Sequence, residues 1–230
     1  QFPYDDLEFL NYRFDTHGQK GHYGVALASK PEPLRVVRGY ATDAEDAQRR
    51  MIRGVYTLGD GTEITVFNGY FPQGESRDHS IKFPAKEAFY RDLLTTLETE
   101  YTPSDEIVIM GDFNIAPVDH DIGITDDAKK RWLRTGKTSF LPEERAWFER
   151  LIQWGLVDSW RSVHPEVSDR YSWFDYRSRG FEDDPKRGLR IDHILVSKPL
   201  MERMTDCGID YALRAMDKPS DHCPVWITLE

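Results

Sequence analysis

Three short segments carry the side chains that could do chemistry. The first is Gly111-Asp112-Phe113-Asn114, which directly follows the apolar run 107–110. Such a run reads as a strand buried on both faces. Gly111 then lets the backbone turn, and on an extended segment residues two apart share a side. Asp112 and Asn114 are therefore expected on one face at the end of a rigid element. A carboxylate there can accept a proton or bind a metal, and a carboxamide can donate to a phosphate oxygen or to the carboxylate. Alone, Gly-Asp-x-Asn reads first as an Asx turn closing a strand. A second polar segment, Ser220-Asp221-His222, set against the apolar run 225–229, shifts that balance toward a site. The third is Asp192, an acid inside the apolar stretch 189–196 and costly there unless paired. His222 is its natural partner, because an Asp–His pair fixes the imidazole tautomer and stabilises its charged form. Arg190 competes for the same role.

Asp112, Asn114, Asp221 and His222 form a candidate set for one divalent cation. Mg²⁺ accepts such a sparse set because it keeps waters and takes substrate phosphate as well. No Cys/His cluster supports zinc. Tyr70 ends a strand and puts a hydroxyl at its tip, although most such tyrosines are rim residues. These groups together fit phosphodiester hydrolysis: Asp112 would take a proton from water, while His222 and a metal would meet charge growing on phosphate. The chain has no Walker A, GxSxG or HExxH pattern.

The elements that must position these groups alternate between strand and helix patterns. Strands are expected at 23–29, 34–37, 51–57 and 63–70, an opening β-meander with Gly59-Asp60-Gly61 as a hairpin signal. A helix should run from about Pro84 to Tyr101 with Phe89, Leu93, Leu94 and Leu97 on one face. Two more should span 126–135, closed by Gly136, and 142–154, stopped by Gly155. Later strands are expected at 157–161, 171–174, 189–196, 211–214 and 225–229. No linker or internal repeat divides residues 1–230, so one α/β domain of layered sheets and outer helices is expected.

Composition narrows the class. Of 230 residues, 39% are hydrophobic and 13% aromatic, which is enough for a sizeable core. No apolar run reaches the length of a membrane span. Cys207 and Cys223 fit a reducing compartment, hence a cytoplasmic protein. A net charge of −10 argues against non-specific coating of nucleic acid. Lys129, Lys130, Arg131, Arg134 and Lys137 nevertheless cluster around Trp132, either as a solvated helical face or as a patch meeting phosphate.

Several motifs resemble the exonuclease III family of the endonuclease/exonuclease/phosphatase superfamily. They are Asn68-Gly69-Tyr70-Phe71-Pro72-Gln73-Gly74, Gly111-Asp112-Phe113-Asn114, the Arg131 to Lys137 segment, Ser172-Trp173-Phe174-Asp175-Tyr176-Arg177, Arg190-Ile191-Asp192 and Ser220-Asp221-His222. The resemblance implies a four-layer α/β sandwich and Mg²⁺- or Mn²⁺-dependent hydrolysis of duplex DNA by a monomer. It also implies incision at abasic sites, 3′→5′ exonuclease action and removal of blocking 3′ groups. In that scheme Asp112 is the general base, Asn114 stabilises the phosphate and Tyr70 positions it. Asp192 orients His222 against the scissile phosphate, and Asp221 lies on the metal side. Gln73, Arg134, Lys137, Trp173 and Arg177 face DNA, with Trp173 lining the pocket for a flipped, base-less sugar.

One departure stands out. The family opens with a strand–helix–strand unit that leads to a metal-binding Glu, and this chain starts after that point, at Gln1 rather than Met. The expectation is a sandwich lacking that unit in a truncated chain. Two other readings remain open: a DNA-binding fragment impaired in catalysis, and a phosphatase acting on a small phosphoester.

Overall fold

The computed structural model describes residues 2–230. Ten strands follow in chain order: β1 (Arg13–Gly18), β2 (Gly24–Ser29), β3 (Arg35–Arg38), β4 (Met51–Thr57), β5 (Glu63–Tyr70), β6 (Glu106–Asp112), β7 (Leu156–Asp158), β8 (Asp192–Ser197), β9 (Met204–Ile209) and β10 (Val225–Leu229). The helices are α1 (Tyr4–Leu7), α2 (Lys82–Glu100), α3 (Asp126–Thr135), α4 (Pro142–Trp154), α5 (Ser159–Val163), α6 (Lys198–Arg203) and α7 (Tyr211–Arg214).

A six-stranded mixed sheet in the order β3-β4-β5-β6-β8-β7 forms the centre. Its one parallel step, β5 to β6, needs a crossover, and α2 supplies it. The apolar run in β6 is buried on both faces, as its composition predicts. Ile107 and Ile109 join Phe67, Leu93, Leu97 and Leu151 under α2 and α4. Val108 points the other way, among Ile64, Ile194 and Val196, with Val225 and Ile227 of β10 packed on top. The second β-layer consists of two antiparallel ribbons, β1–β2 and β9–β10. The Asn68 side chain ties β5 to the first of them by donating to Ala26 O at 2.8 Å. The fold is thus α/β, with mixed sheets flanked by helices.

Some local expectations need correction. The opening strands do not form one meander. β2 leaves with β1 for the second layer, while β3, β4 and β5 stay in the central sheet. The strand expected at 157–161 ends at Asp158, whose carboxylate accepts from Arg161 N and starts α5. Residues 211–214 form helix α7, because the Asp210 side chain caps Leu213 N. Residues 171–174 make only isolated bridges. An N-capping aspartate can therefore override a short β-like run.

Candidate active site

Strand order and register assemble the site. In the parallel pair β5/β6, Tyr70 lies beside Asp112. In the antiparallel pair β6/β8, Asp112 lies opposite Asp192. Tyr70, Asp112 and Asp192 therefore form a row across three strand ends. Two carboxylates directly opposite each other repel, so the register is unfavourable unless a cation answers it. Gly111 makes the approach possible. It has φ of 139°, and a Cβ there would sit 1.9 Å from Gly69 O. Gly111 is thus a point of backbone contact inside β6, not a turn after it.

Asn114 reaches Asp112 by a different route from the expected two-residue repeat. Its backbone is left-handed, with φ of 54°. Its N–H donates to Asp112 Oδ1 at 2.9 Å and its Nδ2 donates to Oδ2 at 2.8 Å. The Asx turn and the arrangement expected of a site are here the same structure. Nδ2 also donates to Phe71 O at 3.0 Å, which leaves the carboxamide little freedom.

His222 completes the group. Its Nδ1 lies 2.8 Å from Asp192 Oδ2 and 3.0 Å from Oδ1. Ligand atoms of Asp112, Asp192 and His222 all lie within 4.8 Å of one another. Arg190 does not take Asp192. Ile191 N and Asp192 N both donate to Ser172 Oγ, at 3.0 and 2.9 Å, so the backbone is irregular just before β8. That irregularity breaks the expected strand 189–196 and sends Arg190 to Asp121 and Asp158 instead.

The electrostatics follow from this crowding. Burial and the nearby Asp192 push Asp112 up to about 7, against the opposing pull of His222 and the Asn114 N–H. Burial alone would discourage a charged imidazole at His222. The hydrogen bond and charge of Asp192, helped by Asp112 and Asp221, outweigh it and raise His222 to about 9. Burial, reinforced by Asp112, also raises Tyr70, so its hydroxyl keeps its proton. Two half-buried carboxylates against one imidazolium leave negative charge in excess. With hard oxygens and one imidazole converging, that donor set fits Mg²⁺ or Mn²⁺.

Asp221 sits beside that group, with its charge acting on His222. Its Oδ2 accepts from Trp173 Nε1 at 3.0 Å, and it lies outside the convergent trio. Asn114, also a candidate ligand, uses its Nδ2 as a donor to Asp112, so its Oδ1 is the atom that could meet a metal. A cavity of about 250 Å³ opens above the trio, with Tyr70, Gln73 and Lys137 on its rim and Trp173, Leu189 and Ile191 on an apolar wall. A second cleft of about 340 Å³ adjoins it and gathers Arg131, Lys137, Arg177 and Arg187. Arg134, on the exposed last turn of α3, lines neither. Lys137 Nζ sits 3.7 Å from the Trp132 ring centroid, which fixes it over the cleft.

Sequence reasoning missed two supporting arrangements. Lys86 is fully buried and donates to Glu144 at 2.5 Å, Asn114 O at 2.8 Å and Gln73 O at 3.3 Å. It thus joins the two loops that carry Asn114 and Gln73. Burial lowers Lys86 and raises Glu144 despite their attraction. The signal was present: 86, 90, 93 and 97 share the buried face of α2, and a lysine there must have a partner. The Arg50 guanidinium lies 3.9 Å from the Tyr23 ring centroid and 4.7 Å from that of Tyr70, holding the Tyr70 ring. No local pattern marks that contact.

The chain matches known proteins in sequence and in fold. A profile of the Endonuclease/Exonuclease/phosphatase family matches residues 2–222. The chain is 60% identical to exodeoxyribonuclease III of Haemophilus influenzae, over 98% of this chain and 83% of that one. It is 30% identical to an exodeoxyribonuclease of Bacillus subtilis, over 97% and 79%. Among solved structures, a 3′–5′ exonuclease from Neisseria meningitidis superposes with a TM-score of 0.85 at 37% identity, covering 100% of this chain and 84% of that one. An AP endonuclease from Archaeoglobus fulgidus gives 0.87 at 32%, with the same coverages. No helix among the described residues is long and apolar enough to cross a membrane.

Proposed function

This chain belongs to the endonuclease/exonuclease/phosphatase family, and from that membership we propose that it cuts phosphodiester bonds in duplex DNA, using a divalent metal, at abasic sites and 3′ ends. It is a DNA repair nuclease, a hydrolase of the exonuclease III and AP endonuclease type. The finer reading covers abasic-site incision, 3′→5′ exonuclease action and removal of blocking 3′ groups, carried out by a cytoplasmic monomer.

The convergence of Asp112, Asp192 and His222 within 4.8 Å, from three distant segments, is the observation that carries the reading. Asp112 accepts the proton of the attacking water. A carboxylate raised to about 7 is a stronger base than an ordinary one, and about half of it is ionised at neutral pH. The two N–H groups of Asn114 hold that carboxylate in one orientation. His222, kept charged by Asp192, has its Nε2 free to donate to a phosphate oxygen. The protonated Tyr70 hydroxyl donates from the rim. Bound Mg²⁺ or Mn²⁺, held by Asp112 and Asp192 with His222 adjacent, would add Lewis-acid stabilisation of charge on the phosphate. The wall of Trp173, Leu189 and Ile191 takes a sugar without a base, whose extrusion costs little stacking. Arg131, Lys137, Arg177 and Arg187 meet the backbone phosphates alongside.

A direct test offers the protein an abasic-site duplex together with p-nitrophenyl phosphate. The expected result is Mg²⁺-dependent incision of the DNA, blocked by chelator, with no turnover of the small ester. Preferential turnover of the ester would assign a small-molecule phosphatase. Binding without cutting would assign a catalytically silent DNA-binding protein. Asp112→Asn should bind the duplex and fail to cut it, and retained cutting would remove Asp112 from the role of base.

A further inference from the structure

Tyr70 stands at the tip of β5 beside Asp112, and 37% of it is exposed. The sheet fixes its main chain but not its ring, because an open strand tip allows several staggered rotamers. A hydroxyl that donates to phosphate is effective only when it is held close to the productive geometry.

Arg50 supplies that hold. It lies just before β4, where its carbonyl accepts from Tyr70 N at 2.8 Å and its Nη1 donates to Tyr70 O at 3.0 Å. Its Nε donates to Gln48 Oε1 at 2.6 Å, so two bonds fix the guanidinium plane. The guanidinium carbon lies 4.7 Å from the Tyr70 ring centroid and 3.9 Å from that of Tyr23. Arg50 is buried, and these two aromatic rings answer its charge.

Tyr23 arrives from a distant segment. The loop 19–23 joins β1 to β2, and Gly18 pairs with Gly24 across its base. The Asn68 bond to Ala26 O anchors this ribbon on β5, the strand that ends in Tyr70. Tyr23 has a left-handed backbone, with φ of 72°. A bulky residue adopts that conformation at a cost, and it persists where the surroundings hold it. The Tyr23 and Tyr70 centroids are 6.3 Å apart, with the rings tilted by 44°, and Arg50 fills the angle between them. A cation–π contact is stronger when water is kept from the cation. By covering the guanidinium, Tyr23 tightens the grip of Arg50 on Tyr70.

We propose that Tyr23 is a positioning residue of the nuclease site: acting through Arg50, it holds the Tyr70 ring where its hydroxyl meets the phosphate. This role rests on the proposed donor function of Tyr70. It predicts a loss in the rate of bond cleavage and little change in duplex affinity.

The test measures single-turnover incision of an abasic duplex with Mg²⁺, and duplex affinity in chelator, for the full chain. Tyr23→Gly removes the ring and suits a left-handed backbone, so its effect is that of the ring alone. The rate should fall about tenfold, as loss of a desolvated cation–π contact would cause. Affinity should stay within about twofold, because no phosphate contact is removed. Tyr23→Phe restores the ring and should recover most of the rate. With Tyr70→Phe already in place, Tyr23→Gly should cost nothing further, since both act through one hydroxyl. Independently of activity, Tyr23→Gly should move the Arg50 Nε–H and Tyr70 ring NMR signals. A native rate in Tyr23→Gly, a loss confined to affinity, or an equal loss in the Tyr70→Phe background each overturns the role of Tyr23. So do Tyr70 ring signals that stay unmoved in Tyr23→Gly. Failure of the native chain to incise the duplex overturns instead the nuclease reading on which the role depends.

Discussion

Asp192 and His193 are neighbours in the chain, yet they belong to two charge clusters of opposite character, the first half-buried and the second buried. On the catalytic side, Asp192 and Asp112 confront each other, and His222 is the one cation within the group. On the other side, His193 joins Arg190, Asp121 and Asp158 in a network where Arg190 meets both carboxylates with paired hydrogen bonds. His193 Nδ1 lies 2.9 Å from Arg190 Nη1, and its Nε2 lies 2.8 Å from Ile115 O. Both clusters are Asp–His arrangements at the end of one strand. In the second, charges and hydrogen bonds balance, and the result is structural. In the first they do not balance, and the surplus is what a phosphate with its cation would answer. Imbalance, more than burial, marks the functional cluster.

The pKa directions give that contrast a sign. Asp112 is raised, so its contribution to stability is full below about pH 4, the unfolded carboxylate value, and is lost as pH rises through about 7. Asp121 and Asp158 go the other way. Burial alone would raise both, but Arg190 and its neighbours hold them below the usual carboxylate range. Their contribution is full above about pH 4 and is lost as pH falls below that value.

The largest expected effect breaks the catalytic side. Asp112→Asn should lower abasic-site incision by about 10²–10⁴-fold, the range of a general base. In chelator at pH 8 the same change should raise the urea midpoint, because a neutral group replaces a disfavoured charge. A lowered midpoint would mean that the two clusters are equally well balanced. Next, Arg190→Met should destabilise the fold by about 3–5 kcal/mol, since two buried carboxylates lose their partner. Equilibrium urea unfolding measures this, and a loss below about 1 kcal/mol would contradict the structural role. A smaller effect lies in the acid limb. The urea midpoint of the native chain should fall as pH drops below about 4, and in Arg190→Met that fall should flatten. The smallest is Trp173→Ala, which should reduce the preference for abasic over intact duplex by roughly tenfold, with less effect on duplex affinity, as the loss of one apolar wall would. An unchanged preference would remove Trp173 from the pocket.

Much of the catalytic side was legible in the sequence because its residues sit where element types change. Asp112 ends a run of apolar residues, Tyr70 ends a strand, and His222 precedes one. The pairing of Asp192 with His222 followed from the cost of an unpaired acid in an apolar segment. What stayed hidden depends on tertiary contacts or local caps. The Ser172 hydroxyl that bends the chain before β8, and so frees Asp192 from Arg190, has no signature of its own. The Asp210 cap that makes 211–214 helical is present in the sequence, but the aromatic and aliphatic residues after it also fit a strand. The hydrogen bond that ties the Asp221 carboxylate to the Trp173 indole has no local signature either.

The contact between Gly69 and Gly111 has a consequence for how freely such a site can be altered. The distance from the Tyr70 strand tip to the Asp112 strand tip is set where two main chains touch, with no side chain between them as a spacer. Alanine at 111 would force the β5 and β6 backbones apart and separate the tyrosine from the base, even with every reacting group still present. Mutational libraries confined to the polar residues should therefore find many inactive variants and few new geometries. The gauge of this site lies in two residues that contribute no functional group.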